Sequence, residues 1–289
     1  MKFIPVAGSL GAEVVDLDLR ALSEREAAQL QAGLHEFEVV FIRGADLDDD
    51  EHLALGGRFG PVNLFPFSKV MGATEPVTLM ITDGPTKPTA DGWHTDVTYA
   101  LEPPDYAFLQ AVIVPERGGD TIWASTTAAF EALSPTMQAL IDGLEVVHSC
   151  EGFIAGASEQ GQLGDQFEEF AAAYRRMFPP VVHPLVRLNP DTQRKGLFLS
   201  SYYTTGIVSM TDAESDALLG LLQRHLEDPR FHCRWSWRPG DLAIWDERST
   251  NHRSAGDHFP QPRALRRIEV GGARPVGAAG PIGAVLGRR

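Results

Sequence analysis

The sequence predicts a mainly β fold carrying peripheral helices, a β-sandwich or jelly roll. Two features of its 289 residues lead to that expectation. Short apolar runs of strand length recur along the chain, and they do not alternate with helices in the regular way that a doubly wound sheet requires.

The elements follow in order. Residues 3–17 interleave short apolar groups with Gly8 and Gly11, the pattern of a strand, a turn and a second strand. Ser23 and Glu26 make a capping box ahead of Ala27, Leu30, Leu34 and Phe37, which share one helical face. The run 39–42, Val-Val-Phe-Ile, is too short for a helix and reads as a buried strand. Asp48 to Glu51 open a second helix with an acidic first turn. Strands are expected at 76–83 and 106–114, and Ser134-Pro135 starts a helix to about Leu140. Residues 150–180, acidic and only partly periodic, read as a lid or insert. Further strands are expected at 181–188, 197–200, 231–237, 241–245 and 264–270, with a helix capped by Thr211 and Glu214 among them. The expected organisation is one domain over 1–289, ending in a flexible Gly, Ala and Pro rich tail from about residue 274.

Composition narrows the function. A hydrophobic share of 43% supports a real core, while a net charge of −14 argues against a nucleic-acid or anionic-membrane partner. No apolar run is long enough to span a bilayer, and the N-terminus lacks a secretory pattern. With Cys150 and Cys233 the only cysteines, a reducing cytoplasm is the expected location.

The chemistry centres on Trp93-His94-Thr95-Asp96. In an extended chain the spacing of His94 and Asp96 puts both side chains on one face, where they can chelate one metal ion. A histidine from a distant strand would complete two imidazoles and a carboxylate, a set that suits non-haem Fe(II) with positions left open. The tract Trp245 to His252 is the best source of that histidine, and His258 is the nearby rival. Arg263, Arg266 and Arg267 follow, and guanidinium groups near a metal call for an anionic partner.

These segments together resemble the taurine dioxygenase family, which includes the aryloxyalkanoate herbicide dioxygenases. The resemblance runs through 92–133, with Trp-His-Thr-Asp-Val-Thr-Tyr, Gly118-Gly119-Asp120-Thr121 and Phe130-Glu131-Ala132-Leu133, and through Ile244-Trp245-Asp246, His252, Asp257, Pro260, Arg263 and Arg267. It implies a double-stranded β-helix (jelly roll) and an oxidoreductase using Fe(II), 2-oxoglutarate and O2. It also implies iron ligands His94, Asp96 and His252, with Thr121 and Arg263 on the distal carboxylate of 2-oxoglutarate and Arg267 on the anionic head of the substrate. The reaction implied is hydroxylation of a C–H bond with release of succinate and CO2, and the assembly a homodimer or homotetramer.

The pattern departs from taurine dioxygenase at Phe65 and Ser68, which stand where that enzyme has a sulfonate-binding histidine and a tyrosine, and at Glu247, where the tract often has asparagine. Phe65, Tyr99 and Tyr203 suggest a roomier, more apolar pocket for a hydrophobic carboxylate, sulfonate or sulfate ester. A non-redox metal hydrolase and a metal-free binding module on the same fold are the alternatives; the Arg263–Thr121 pairing weighs against both.

Overall fold

In the computed structural model, which describes residues 1–82, 91–161, 163–277, 280–281 and 284–285, the predicted first elements fall into place. Strands β1 (Lys2–Pro5) and β2 (Ala12–Val15) pair antiparallel across a turn in which Gly11 has φ +91°. Helix α1 (Glu24–Phe37) begins on the Ser23–Glu26 capping box and buries Ala27, Leu30 and Leu34. The four residues of β3 (Val39–Ile42) are all buried, and α2 (Asp49–Gly56) is capped reciprocally by Asp48 and Glu51. Strand β4 (Val62–Asn63), helix α3 (Pro66–Val70) and strand β5 (Thr78–Thr82) follow. Asp83, at the end of an expected strand, lies outside the described residues.

Next come β6 (Tyr106–Ile113), β7 (Thr121–Ser125), α4 (Thr126–Glu131), α5 (Pro135–Ile141) and β8 (Glu145–His148). The 150–180 stretch holds helices α6 (Glu151–Glu159) and α7 (Phe167–Met177), and α7 buries Phe170, Ala171 and Tyr174. The single strand expected over 181–188 is two: β9 (Val181–Pro184) and β10 (Val186–Leu188) belong to different sheets. Pro184 has no N–H to continue a ladder. Leu185 instead donates to Leu144 O and accepts from Phe198 N.

The remaining elements are β11 (Lys195–Leu197), β12 (Thr204–Ile207), the Thr211-capped α8 (Asp212–Leu226), β13 (His232–Trp235), β14 (Leu242–Asp246), β15 (Thr250–Ser254) and β16 (Arg263–Val270). Short strands β17 (Val276–Gly277), β18 (Gly280–Pro281) and β19 (Ala284–Val285) end the described chain, and β17 and β19 pair with β10 and β9.

The main sheet runs β1-β2-β3-β14-β6-β16-β4, with β5 also on β16, and a smaller one runs β13-β7-β15. One aromatic-rich cluster takes Phe41, Leu109, Trp245 and Leu265 from the main sheet and Trp123, Cys233 and Trp235 from the smaller one. Each strand contributes alternate residues to it, as the pleat requires. Both cysteines are free and buried. Among the described residues no helix is long and apolar enough to cross a membrane.

His52 shows how burial couples this core to pH. Its exposure is 0%, neither ring nitrogen has a hydrogen-bond partner among the described residues, and burial pulls its pKa down to about 4. Burial pulls His183 down to about 4 as well. The unfolded chain takes up these protons near pH 6.5, the folded chain only near 4, so stability falls as pH drops through that window. A shift of this size at one site corresponds to about 3 kcal/mol. His52→Leu therefore flattens the dependence of urea midpoints on pH between 6.5 and 4; a slope equal to the parent's would contradict the assignment.

Candidate metal and anion site

The centre of the site is a two-residue bridge between the His94 segment and β15. His94 N donates to His252 O at 3.0 Å and His252 N to His94 O at 2.7 Å. Directly opposed residues project to the same face, and the two imidazole centroids are 4.3 Å apart. Asp96, two residues further, presents its carboxylate to both rings: Oδ1 lies 3.6 Å from His94 Nε2 and Oδ2 3.8 Å from His252 Nε2. One ligand atom from each residue falls within 4.8 Å of the others. Atoms bonded to a common ion at about 2.1 Å sit about 3 to 3.5 Å apart, so small movements close this set on a metal.

The protonation states suit a metal. All three residues are buried, at 5 to 8% exposure. Burial lowers the pKa of His94, and burial followed by the neighbouring His94 lowers that of His252 to about 3, so both rings are neutral. Burial pushes Asp96 upward, but Arg267 and the two histidines outweigh it and hold the carboxyl at about 2. His94 Nδ1 is 2.8 Å from Gly92 O, which assigns its proton there and leaves the Nε2 lone pair facing Asp96.

Supports flank these three residues, and of them the sequence singles out only Glu247. Thr95 Oγ1 donates to Thr250 O at 2.8 Å and accepts from Asn251 Nδ2 at 2.9 Å, tying the two ligand segments together. Glu247 accepts from Asp96 N at 3.2 Å and from Trp245 Nε1 at 2.7 Å. Burial, then the charge of Asp96, raises the Glu247 pKa well above the carboxylate range. Tyr202 stands 5.4 Å from His94, ring to ring.

The three arginines separate. Alternation along β16 turns Arg263 and Arg267 to one side and Arg266 to the other, where Arg266 meets Asp49 at 2.7 Å and takes no part in the site. Arg263 Nη2 donates to Thr121 Oγ1 at 3.1 Å, and the same oxygen accepts from Trp237 Nε1 at 3.0 Å. Among the described residues no carboxylate lies within ion-pair distance of Arg263, and burial draws its pKa down to about 10. Arg267 is different: Nη1 is 3.0 Å from Asp96 Oδ2, Nη2 is 3.4 Å from Glu269 Oε1, and its guanidinium lies 4.2 Å above the Phe65 ring.

Of the remaining aromatic positions, Tyr203 is 8% exposed and Tyr99 only 1%. The Tyr99 hydroxyl is 2.5 Å from that of Tyr174 on α7, and its ring packs 4.9 Å from Tyr203. His258 is outside the triad; it is buried, with both ring nitrogens unpartnered among the described residues, and burial followed by the charge of Arg263 lowers its pKa.

Comparison with known proteins agrees with this geometry. Residues 2–268 match the model of the Taurine catabolism dioxygenase TauD, TfdA family. The chain is 34% identical over 284 residues to the alpha-ketoglutarate-dependent sulfate ester dioxygenase of Pseudomonas putida, covering 96% of this chain and 92% of that one. A taurine dioxygenase from Burkholderia xenovorans superposes with a TM-score of 0.81 at 32% identity, covering 99% of this chain and 96% of that one. AAD-2, solved in complex with Mn(II) and N-oxalylglycine, gives 0.77 at 29% identity, covering 95% and 98%. The chain belongs to the TauD/TfdA family and is a 2-oxoglutarate-dependent non-haem iron dioxygenase, taking Fe(II), 2-oxoglutarate and O2.

Proposed function

We propose that the enzyme hydroxylates a C–H bond of a small hydrophobic anion, a carboxylate, sulfonate or sulfate ester, on a double-stranded β-helix. His94, Asp96 and His252 would hold Fe(II), and Thr121 with Arg263 would hold the distal carboxylate of 2-oxoglutarate. The observation that carries the reading is Arg263, a guanidinium without a carboxylate partner among the described residues, hydrogen-bonded to a threonine on the facing sheet. Such a charge is costly inside a fold unless an anion comes to it.

The chain's own groups then have defined tasks. Thr121 Oγ1 already accepts two N–H groups, from Trp237 and Arg263, so its hydroxyl hydrogen remains to be donated to a carboxylate. Arg263 keeps further N–H groups for a charge-assisted pair with the same carboxylate. Arg263 and Arg267 are four residues apart on one face of β16, about 13 Å along the strand, which keeps cosubstrate and substrate anions apart. The chemistry the metal supplies when bound is oxidation of the substrate coupled to conversion of 2-oxoglutarate to succinate and CO2.

For the substrate, Arg267 would orient the anionic head, with Phe65 beneath its guanidinium and Tyr203 as a wall. Tyr99 would set the shape of that wall from behind. Residues 150–180 would cover the site, since Phe153 of α6 and Tyr174 of α7 pack with Tyr99 in one cluster. The 34% identity to a sulfate ester dioxygenase favours a substrate in this anion class.

The test is succinate release by the Fe(II)-loaded enzyme under air with alkyl sulfates, alkanesulfonates and hydrophobic carboxylates. At least one class raises succinate formation above the substrate-free rate and yields one oxidised product per succinate. Equal rates with and without every class would contradict the substrate assignment.

A further inference from the structure

We propose that Glu269 is a specificity-determining residue, which makes the head-group site accept monoanions and reject dianions such as a phosphate monoester. The inference rests on the placement of the substrate anion at Arg267 proposed above.

The charges around Arg267 carry it. The residue is 7% exposed, and its one guanidinium already faces two carboxylates, Asp96 at 3.0 Å and Glu269 at 3.4 Å. Glu269 is 3% exposed, and its Oε1 has no hydrogen-bond partner among the described residues. A third buried carboxyl, Glu247, stands against the backbone of Asp96. Glu269 also lines a cavity of about 350 Å³ together with Val97, Pro66 and Phe178. The other charged residues lining it are Lys69 and Glu102, which are exposed and opposite in sign.

A monoanion arriving here can share the guanidinium, or replace Glu269 at Nη2, and adds one negative charge beside the Glu269 carboxylate. A second negative charge on the same head meets the Glu269 carboxylate with no buried cation to pair it. A divalent ion at the triad would not supply that cation, because Asp96 and the chelating carboxylate of the cosubstrate would offset its charge. Like charges brought together out of water repel strongly, so Glu269 penalises any anion here, and a dianion about twice as much as a monoanion. Sulfate esters and phosphate monoesters have the same tetrahedral shape, which makes charge the only property the site has to distinguish.

The test uses an alkyl sulfate and the alkyl phosphate of the same chain length, titrated anaerobically at pH 8 into enzyme loaded with Fe(II) and 2-oxoglutarate. Binding is read from the change in the visible charge-transfer band of the chelate. At that pH the phosphate ester is a dianion, with a second pKa of about 6. Glu269, raised to about 7 by burial against the pull of Arg267, is ionised. Wild type binds the sulfate at least about 100-fold more tightly than the phosphate, Glu269→Asp keeps that ratio, and Glu269→Gln narrows it to about 10-fold or less by tightening the phosphate more than the sulfate. Equal binding of both by wild type, or an unchanged ratio in Glu269→Gln, overturns the proposal. If the band forms but the sulfate leaves it unaltered, the placement of the anion at Arg267 fails, and this proposal with it.

Discussion

Asp96→Ala abolishes Fe(II) binding at micromolar metal and lowers turnover by on the order of 1000-fold or more, a larger loss than the 10- to 100-fold typical of residues that merely support a ligand. Three buried donors would hold the ion, and Asp96 is the one that brings a negative charge. Without it the two neutral imidazoles face Arg267 directly, and that positive charge opposes a cation at the site. The effect on stability is smaller than on activity. Removing one partner of a buried ion pair costs about 3 to 5 kcal/mol when the other is left alone, but Glu269 remains beside Arg267 and takes up part of that charge. Fe(II) titration and thermal unfolding of the apoprotein separate the two effects. A variant that binds Fe(II) within about tenfold of wild type would remove Asp96 from the ligand set.

Arg263→Gln has the second largest effect, and it falls on the cosubstrate. The apparent KM for 2-oxoglutarate rises by about 100-fold or more, because a charge-assisted pair is lost, while Fe(II) affinity stays within a few-fold of wild type. Thr121→Val, which removes one hydroxyl donor and leaves the Arg263 and Trp237 N–H groups without their shared acceptor, raises it about 10-fold. Steady-state kinetics at saturating metal read both values. A KM for 2-oxoglutarate unchanged in Arg263→Gln would mean that the cosubstrate carboxylate is held elsewhere.

How much of this could be seen in the sequence depends on whether each element had a pattern of its own. The capping boxes at Ser23 and Thr211 and the continuous apolar run of β3 are local signals, and each became the element it predicts. The spacing of His94 and Asp96 is local too. His252 needed a partner strand, and β15, reading Thr-Asn-His-Arg-Ser, carries no apolar alternation to announce one. It is a strand because it pairs antiparallel with β7 over its whole length, while Thr95 and the backbone of His94 bind it from the other side. The break at Leu185 is set by tertiary pairing to Leu144 and Phe198, and only Pro184 hinted at it.

The arginines make the same point from the other side. Residue parity along β16 separates Arg266 from Arg263 and Arg267, although the sequence reading groups all three; its pairing with Asp49 is a tertiary contact. Glu269 shares that parity with Arg267, yet nothing in the sequence distinguished a buried carboxylate beside the site from a surface one. Trp237 reads only as the end of an expected strand; its indole N–H, donated to Thr121, is a contact between segments more than 100 residues apart, and no local pattern encodes it.

The central claim is that one site binds iron through the triad and 2-oxoglutarate through Arg263 and Thr121. Anaerobic titration of the apoprotein with Fe(II) and then 2-oxoglutarate tests it most directly. Wild type develops the weak visible charge-transfer band of the chelate at one equivalent of each, and His252→Ala does not. Folded wild type that takes up Fe(II) and shows no band with 2-oxoglutarate would contradict the account.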